Sequence, residues 1–300
     1  MGWMIGGSLL IRNGDVIDGT GAPGRRADVR VRDGVVVEVA ASLAPDGERQ
    51  IDASGALVTP GFIDNHTHFD PSLFWDSSCD PLPQHGVTTV VMGNCSLSLA
   101  PIRRERIAEV TSMFCYIEDL PEAAFDEAIP WNWEGYPGYL DELDTRPLSV
   151  NALSLVGHSV LRLYVLGDEA WERPATSAEI AQMAALLDES LVAGSLGMST
   201  SFGFDEDRAK RPVPSRLADD AEVRALFEVL ARRGRMAQFI PTPSPRQLIP
   251  DVRRAAELSR GRDLVQTAFF SGELHVHVSP RAPFRRPLSV RWLWWSRAEA

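Results

Sequence analysis

The sequence predicts an α/β fold: a parallel (β/α) barrel of the TIM type, incomplete, preceded by a small N-terminal β-sandwich-like domain. Two observations predict it. From Ala56 onward, short apolar runs alternate with segments of helical periodicity, the pattern of buried parallel strands joined by right-handed crossovers. Before Ala56, strand-like runs are punctuated by turn signals with no helical pattern between them. A chain of 300 residues, 44% apolar and 24% charged, buries a sizeable core and suits one large domain plus a small one.

In the first segment, residues 1–56, Leu9–Arg12 is followed by the turn signal Asn13-Gly14-Asp15, and Val16–Asp18 by the loop Gly19-Thr20-Gly21-Ala22-Pro23-Gly24. Ala27–Arg32 alternates apolar and charged residues, Asp33-Gly34 reads as a hairpin turn, and Val35–Val39 as its return strand. A further short strand surrounds Ile51. The expected product is a small antiparallel sheet, marginal alone, with an apolar face that needs another layer.

Residues 57–273 read as the barrel. Its candidate strands are Leu57–Ile63, Val87–Met92, Val150–Val156, Leu196–Thr200, Met236–Ile240 and Leu264–Phe269, six where a closed barrel of this type has eight. Candidate helices include Ser177–Ala193 and Ala218–Arg233. Thr176-Ser177 before Glu179, and Asp219 before Glu222, are capping signals, while Gly194 and Gly234 are stop signals. Residues 97–147 form a long insertion after the second strand, carrying Trp131, Trp133, Tyr136 and Tyr139. It reads either as a wall of a substrate pocket at the barrel mouth or as a packed surface excursion.

Composition removes several classes of function. A net charge of -11 argues against nucleic acid as the main partner, because phosphate binding needs a cationic face. No stretch reaches the roughly 18 apolar residues of a membrane span, so no membrane partner is expected. Met1–Leu10 lacks the basic start and small-residue cleavage site of a signal peptide. Three cysteines are too few and scattered for a disulfide framework, so the cytoplasm is the expected compartment. Oligomeric state is left open.

The chemistry lies in Val58-Thr59-Pro60-Gly61-Phe62-Ile63-Asp64-Asn65-His66-Thr67-His68-Phe69-Asp70. At a strand end, residues i and i+2 point the same way, so His66 and His68 can converge on one ion. Neutral imidazoles suit borderline divalent metals such as zinc. The next strand runs into Gly93-Asn94-Cys95 at the same rim. Cys95 reads either as a small buried apolar group or, beside the histidine pair, as a thiolate ligand. Asp64 and Asp70 flank the pair, and Asp64 is expected to orient an imidazole rather than act as general base. His158 is placed to hydrogen-bond substrate or simply to pack, and Ser199 is a weaker candidate of the same kind.

Pro-Gly-Phe-Ile-Asp-x-His-Thr-His-x-Asp followed by Gly-Asn-Cys resembles the D-aminoacylase (N-acyl-D-amino-acid deacylase) branch of the amidohydrolase superfamily. Gly19–Gly24, Leu155-Val156-Gly157-His158 and Gly197-Met198-Ser199-Thr200 support the likeness, which spans most of residues 8–270. The resemblance implies a (β/α) barrel with a β domain built from both chain ends and one or two divalent ions, zinc, at the strand ends. It implies His66, His68 and Cys95 as ligands and a small N-acyl amino acid-like substrate hydrolysed at a linear amide. Alternatives are a cyclic amidase of the hydantoinase or dihydroorotase kind, or an inactive truncated remnant. The first is disfavoured because the single lysine, Lys210, reads as a solvated loop residue and not as the carboxylated bridge of those enzymes.

The pattern also departs from the family. The resemblance calls for histidines at the ends of strands five and six, and for an aspartate after strand eight as proton carrier. Strand five carries Gln238 and no histidine, and strand six carries none. The catalytic group is therefore unknown. His275 and His277 form a second His-x-His in a segment that does not read as barrel. Residues 274–300 form an atypical tail, with Arg281, Arg285, Arg286, Arg291 and Arg297 against one acid, Glu299, and the run Trp292-Leu293-Trp294-Trp295. A membrane-surface or partner-binding segment is one reading. The composition break after about Glu273 favours an out-of-frame end that truncates the protein.

Overall fold

The computed structural model describes residues 7–244 and 246–259, together with the backbone of two strands at 264–268 and 274–278. Expectations placed on the remainder, including the Arg/Trp-rich run 281–300, lie outside the described residues.

The first five strands are β1 (Leu9–Val16), β2 (Arg25–Arg32), β3 (Val35–Ala40), β4 (Arg49–Asp52) and β5 (Leu57–Val58). They form one sheet in the order β3-β2-β1-β4, with β5 also on β1. The β1–β2 and β2–β3 pairs are antiparallel, as expected, and Asp33-Gly34 makes the hairpin turn with both residues at positive φ. Two expectations are corrected. The sheet is mixed, because β4 and β5 return to the free edge of β1 and pair with it in parallel. Asn13-Gly14 does not break the chain into two strands. Asn13 takes the left-handed conformation (φ 62) as a β-bulge inside β1, with its N–H donating to Asp28 Oδ1 at 2.8 Å and its side-chain amide to Asp52 Oδ1 at 3.1 Å. Val35, Val36, Val37, Ile51 and Leu57 are exposed, so the covering layer that an apolar sheet face requires is not found among the described residues.

The second sheet follows chain order from β6 (Phe62–Asp64) through β7 (Val87–Met92), β8 (Asn151–Gly157), β9 (Gly197–Ser201) and β10 (Met236–Ile240) to β11 (Leu264–Ala268). These six strands are parallel and curl into a half-barrel. The expected single strand Leu57–Ile63 is divided at Pro60, which has no N–H for a sheet ladder, so β5 serves the small sheet and β6 opens the barrel. A seventh strand, β12 (Leu274–Val278), carries His275 and His277 and runs antiparallel to β11. The alternation Leu-His-Val-His-Val favours an extended strand, but its reversed direction means that it does not repeat the βα unit.

Helices α1 (Ile107–Ile117), α2 (Glu122–Ala128) and α3 (Tyr136–Asp144) fill the insertion. The crossovers carry α4 (His158–Leu166), α5 (Ser177–Ala193), α6 (Asp220–Arg233) and α7 (Leu248–Leu258). The caps are those that the sequence signals: Thr176 and Glu179 form a reciprocal capping box on α5, and Asp219 accepts from Glu222 N on α6. Insertion and barrel share one core. Trp133, Tyr136 and Tyr139 are buried in it, with the Trp133 indole N–H donating to Leu99 O at 2.9 Å and the Tyr136 hydroxyl to Ser154 O at 3.0 Å. These three rings therefore pack into the core. No helix among the described residues is long and apolar enough to cross a membrane.

Candidate metal centre

The His-x-His segment leaves β6 and is tied at once to its neighbour. Thr67 N–H and Oγ1–H both donate to Val91 O, at 3.0 and 2.9 Å, which fixes the residue between the two histidines against β7. The Asn94 side-chain amide donates to Thr67 O (3.0 Å) and Val91 O (2.8 Å), locking the ends of β6 and β7 together. Asp64 Oδ1 accepts from His66 N at 3.2 Å, so it positions the backbone rather than an imidazole ring as expected. Asp70 is fully buried and accepts from Gly93 N at 3.0 Å, again anchoring the loop that follows β7.

That loop holds Cys95 in an uncommon conformation. Gly93, Cys95 and Ser96 have φ of 76°, 52° and 70°, and a Cβ on Gly93 would stand 2.2 Å from Leu155 O. Two consecutive non-glycine residues in the left-handed region cost free energy and persist only where surrounding contacts enforce them. Ser199, on β9, supplies the enforcement: its hydroxyl donates to Gly93 O at 2.5 Å and accepts from Ser96 N at 3.0 Å, clamping both sides of Cys95.

The result is a compact donor set. Cys95 Sγ lies 3.3 Å from His66 Nε2, the two imidazole rings meet edge-on at 5.3 Å, and one ligand atom each from His66, His68 and Cys95 lie within 4.8 Å of one another. Burial, with His66 alongside, pushes His68 down to about 3, so its ring is neutral. Burial, then the carboxylates of Asp205, Glu118 and Asp70, push the Cys95 thiol well up. Burial also raises Asp70 to about 7, against the opposing hydrogen bond from Gly93. His68 Nδ1 and Asp70 Oδ1 are buried without a hydrogen-bond partner among the described residues. Two nitrogens and one sulfur are a borderline-soft set that suits zinc, and the spacing allows bonds of about 2.0–2.3 Å to one ion after small side-chain shifts.

A cavity of about 310 Å³ adjoins the set, lined by His68 and Cys95, by Ile117 and Glu118 from the end of α1, and by Phe204, Asp205, Ile240 and Pro241. Glu118 Oε1 is 3.4 Å from His68 Nε2, and burial together with Asp205 and Asp70 raises its carboxyl to about 7. Sequence reasoning missed Glu118 and Asp205, because neither sits in a motif and both reach the cavity only through the tertiary fold.

His158 resolves to the packing alternative. Its Nδ1 pairs with Thr200 Oγ1 (2.9 Å) and its Nε2 with Glu222 Oε1 (2.8 Å), and Glu222 also binds the Arg162 guanidinium. All three side chains are fully buried, which leaves neither ring nitrogen free for substrate. Burial pushes Glu222 up, but His158 and Arg162 outweigh it and hold the carboxyl below its usual value. Lys210 is exposed and bound to Glu206 and Tyr116, the loop lysine that the sequence describes. The side chains of His275 and His277 lie outside the described residues.

The chain is similar to known proteins. Residues 49–237 match the amidohydrolase family. An uncharacterized protein of Mycobacterium tuberculosis is 42% identical over 246 residues, covering 78% of this chain and 40% of its own. A D-aminoacylase of Alcaligenes xylosoxydans xylosoxydans is 39% identical over 192 residues, covering 64% of this chain and 37% of its own. A solved D-aminoacylase, described in terms of its binuclear metal centre, one-metal activation and second-metal attenuation, superposes with a TM-score of 0.70 at 34% identity. It covers 84% of this chain and 49% of its own. The chain thus spans half or less of the length of these relatives.

Proposed function

The chain belongs to the amidohydrolase family, and from that membership we propose that it is a metal-dependent hydrolase of a linear amide C–N bond, with N-acyl-D-amino acids as its substrate class. The observation that carries this reading is the approach of His66, His68 and Cys95 to within 4.8 Å of one another at the rim of the half-barrel.

These three side chains would hold a divalent cation, and zinc is the ion their chemistry favours. A cation held there supplies Lewis acidity, which lowers the cost of charge developing on a carbonyl oxygen and of deprotonating water. The chain's own residues do the rest. Asp64, Thr67 and Asn94 fix the backbone that presents the imidazoles, and Ser199 fixes the one that presents the sulfur. Ile117, Phe204, Ile240 and Pro241 give the cavity apolar walls that suit an acyl group. The aspartate that the family resemblance calls for after an eighth strand has no counterpart among the described residues, so no proton carrier is assigned.

The test is release of free amino acid from N-acetyl-D-amino acids by the zinc-loaded chain, with N-acetyl-L-amino acids, dihydroorotate and a hydantoin as competing substrate classes. Release from the D-series alone supports the reading. Ring opening without linear amide cleavage moves the assignment to a cyclic amidase, and zinc binding without turnover of any substrate identifies a chain that binds metal but does not catalyse.

A further inference from the structure

The insertion after β7 delivers a carboxylate to the metal centre. We propose that Glu118 is a fourth protein ligand of the cation held by His66, His68 and Cys95, an assignment that rests on the reading of those three residues given above.

Glu118 is the residue on which α1 ends. Its N–H donates to Phe114 O at 2.9 Å, and Asp119 then leaves the helix with φ 53°. This ending brings Glu118 Oε1 to 3.4 Å from His68 Nε2, and both side chains line the cavity that also holds Cys95. Two ligands bonded at about 2.0–2.1 Å in a tetrahedron stand about 3.3–3.4 Å apart, a spacing that His68 and Glu118 meet, while Glu118 stands outside the 4.8 Å cluster of the other donors and would join it by turning its side chain.

The surroundings of Glu118 lack a cation. Its side chain is 20% exposed, and among the described residues no arginine or lysine pairs with it. The other charges acting on it are the carboxylates of Asp205 and Asp70. A carboxylate held largely out of water with no cation beside it is costly to maintain unless positive charge enters with it. Carboxylate oxygen is an ordinary zinc ligand, and Glu118 brings the protein donors from three to four, which leaves water or substrate to enter as a fifth ligand. It enters the set from the His68 side, on a chain that has no histidine in β10 or β11 to complete it.

The experiment measures the zinc dissociation constant of the purified full chain against a competing chelator, for the parent, Glu118→Gln, Cys95→Ala and, as control, Glu105→Gln on the exposed turn before α1. The proposal expects E118Q to weaken zinc binding by about ten-fold or more, C95A to weaken it likewise, and E105Q to leave it unchanged. If E118Q binds within two-fold of the parent while C95A does not, Glu118 is only a structural neighbour of His68 and the proposal is overturned, with the three-residue site intact. If C95A also binds like the parent, the site itself is misplaced and the proposal falls with it. Should E118Q fail to fold, Glu118→Asp keeps the charge one methylene shorter. Weakening of three-fold or more by E118D supports the ligand role, and parental affinity overturns it.

Discussion

Ser199 grips both ends of the turn that carries Cys95: one hydroxyl on β9 donates to Gly93 O and accepts from Ser96 N, spanning more than a hundred residues of sequence. The sulfur is held in place by a strand that contributes no member of the His66–His68–Cys95 set.

From that relationship, Ser199→Ala is expected to leave Gly93 O and Ser96 N without their partner in a buried setting, at a cost of about 1–3 kcal/mol in folding stability. It is also expected to weaken zinc binding, because a mobile Cys95 pays more to join the ion. Urea unfolding of the metal-free chain, paired with chelator competition, checks both. Loss of stability with unchanged zinc affinity would show that the Cys95 loop holds its shape without the clamp.

Gly93→Ala tests the same loop from its backbone. An added Cβ meets Leu155 O at 2.2 Å and sits at φ 76°. The expected loss is about 1–3 kcal/mol or more, since strain and clash add. A melting temperature equal to the parent's would contradict the tight approach of this loop to β8.

The buried His158–Glu222–Arg162 group predicts a different signature. Glu222→Gln leaves the Arg162 guanidinium buried without its counter-ion, which costs about 3–5 kcal/mol. His158→Gln is expected to lower stability while leaving zinc stoichiometry unchanged. Lost zinc in a folded H158Q would return this histidine to the site.

Glu179 predicts a pH dependence. Two hydrogen bonds from Arg173 lower its carboxyl to about 2, aided by Thr176 and only partly opposed by burial. Because the folded value lies below the ordinary 4.5, its stabilising contribution is fully present above about pH 4.5 and disappears as pH falls through 2. Glu179→Gln should therefore be less stable than the parent at pH 7 and converge with it at pH 2. A constant difference across that range would remove the carboxylate's charge as the cause.

What could be read in advance was local. The bounds of α5 follow from Thr176, Glu179 and Gly194, and β7 and β10 from short, largely apolar runs, because caps and burial are written within a few residues. The histidine pair and Cys95 carry a signal of the same local kind, since each follows directly on an apolar strand, β6 or β7. Asn13-Gly14 misled because a left-handed asparagine serves a bulge as well as a turn, and the choice was made by Asp28 and Asp52, 15 and 39 residues away. His158 was undecided until Glu222, 64 residues on, closed over its ring. Glu118 carries no signal at all, since only the tertiary fold brings the end of α1 to His68.

The most direct measurement is the absorption spectrum of the cobalt-substituted chain. A cation bound through Cys95 gives a thiolate-to-cobalt charge-transfer band in the near ultraviolet at one equivalent of metal. That band should be absent in Cys95→Ser and weakened in His66→Ala. Cobalt bound by the parent without the band, or with a band that survives in Cys95→Ser, would contradict the meeting of these three side chains around one ion.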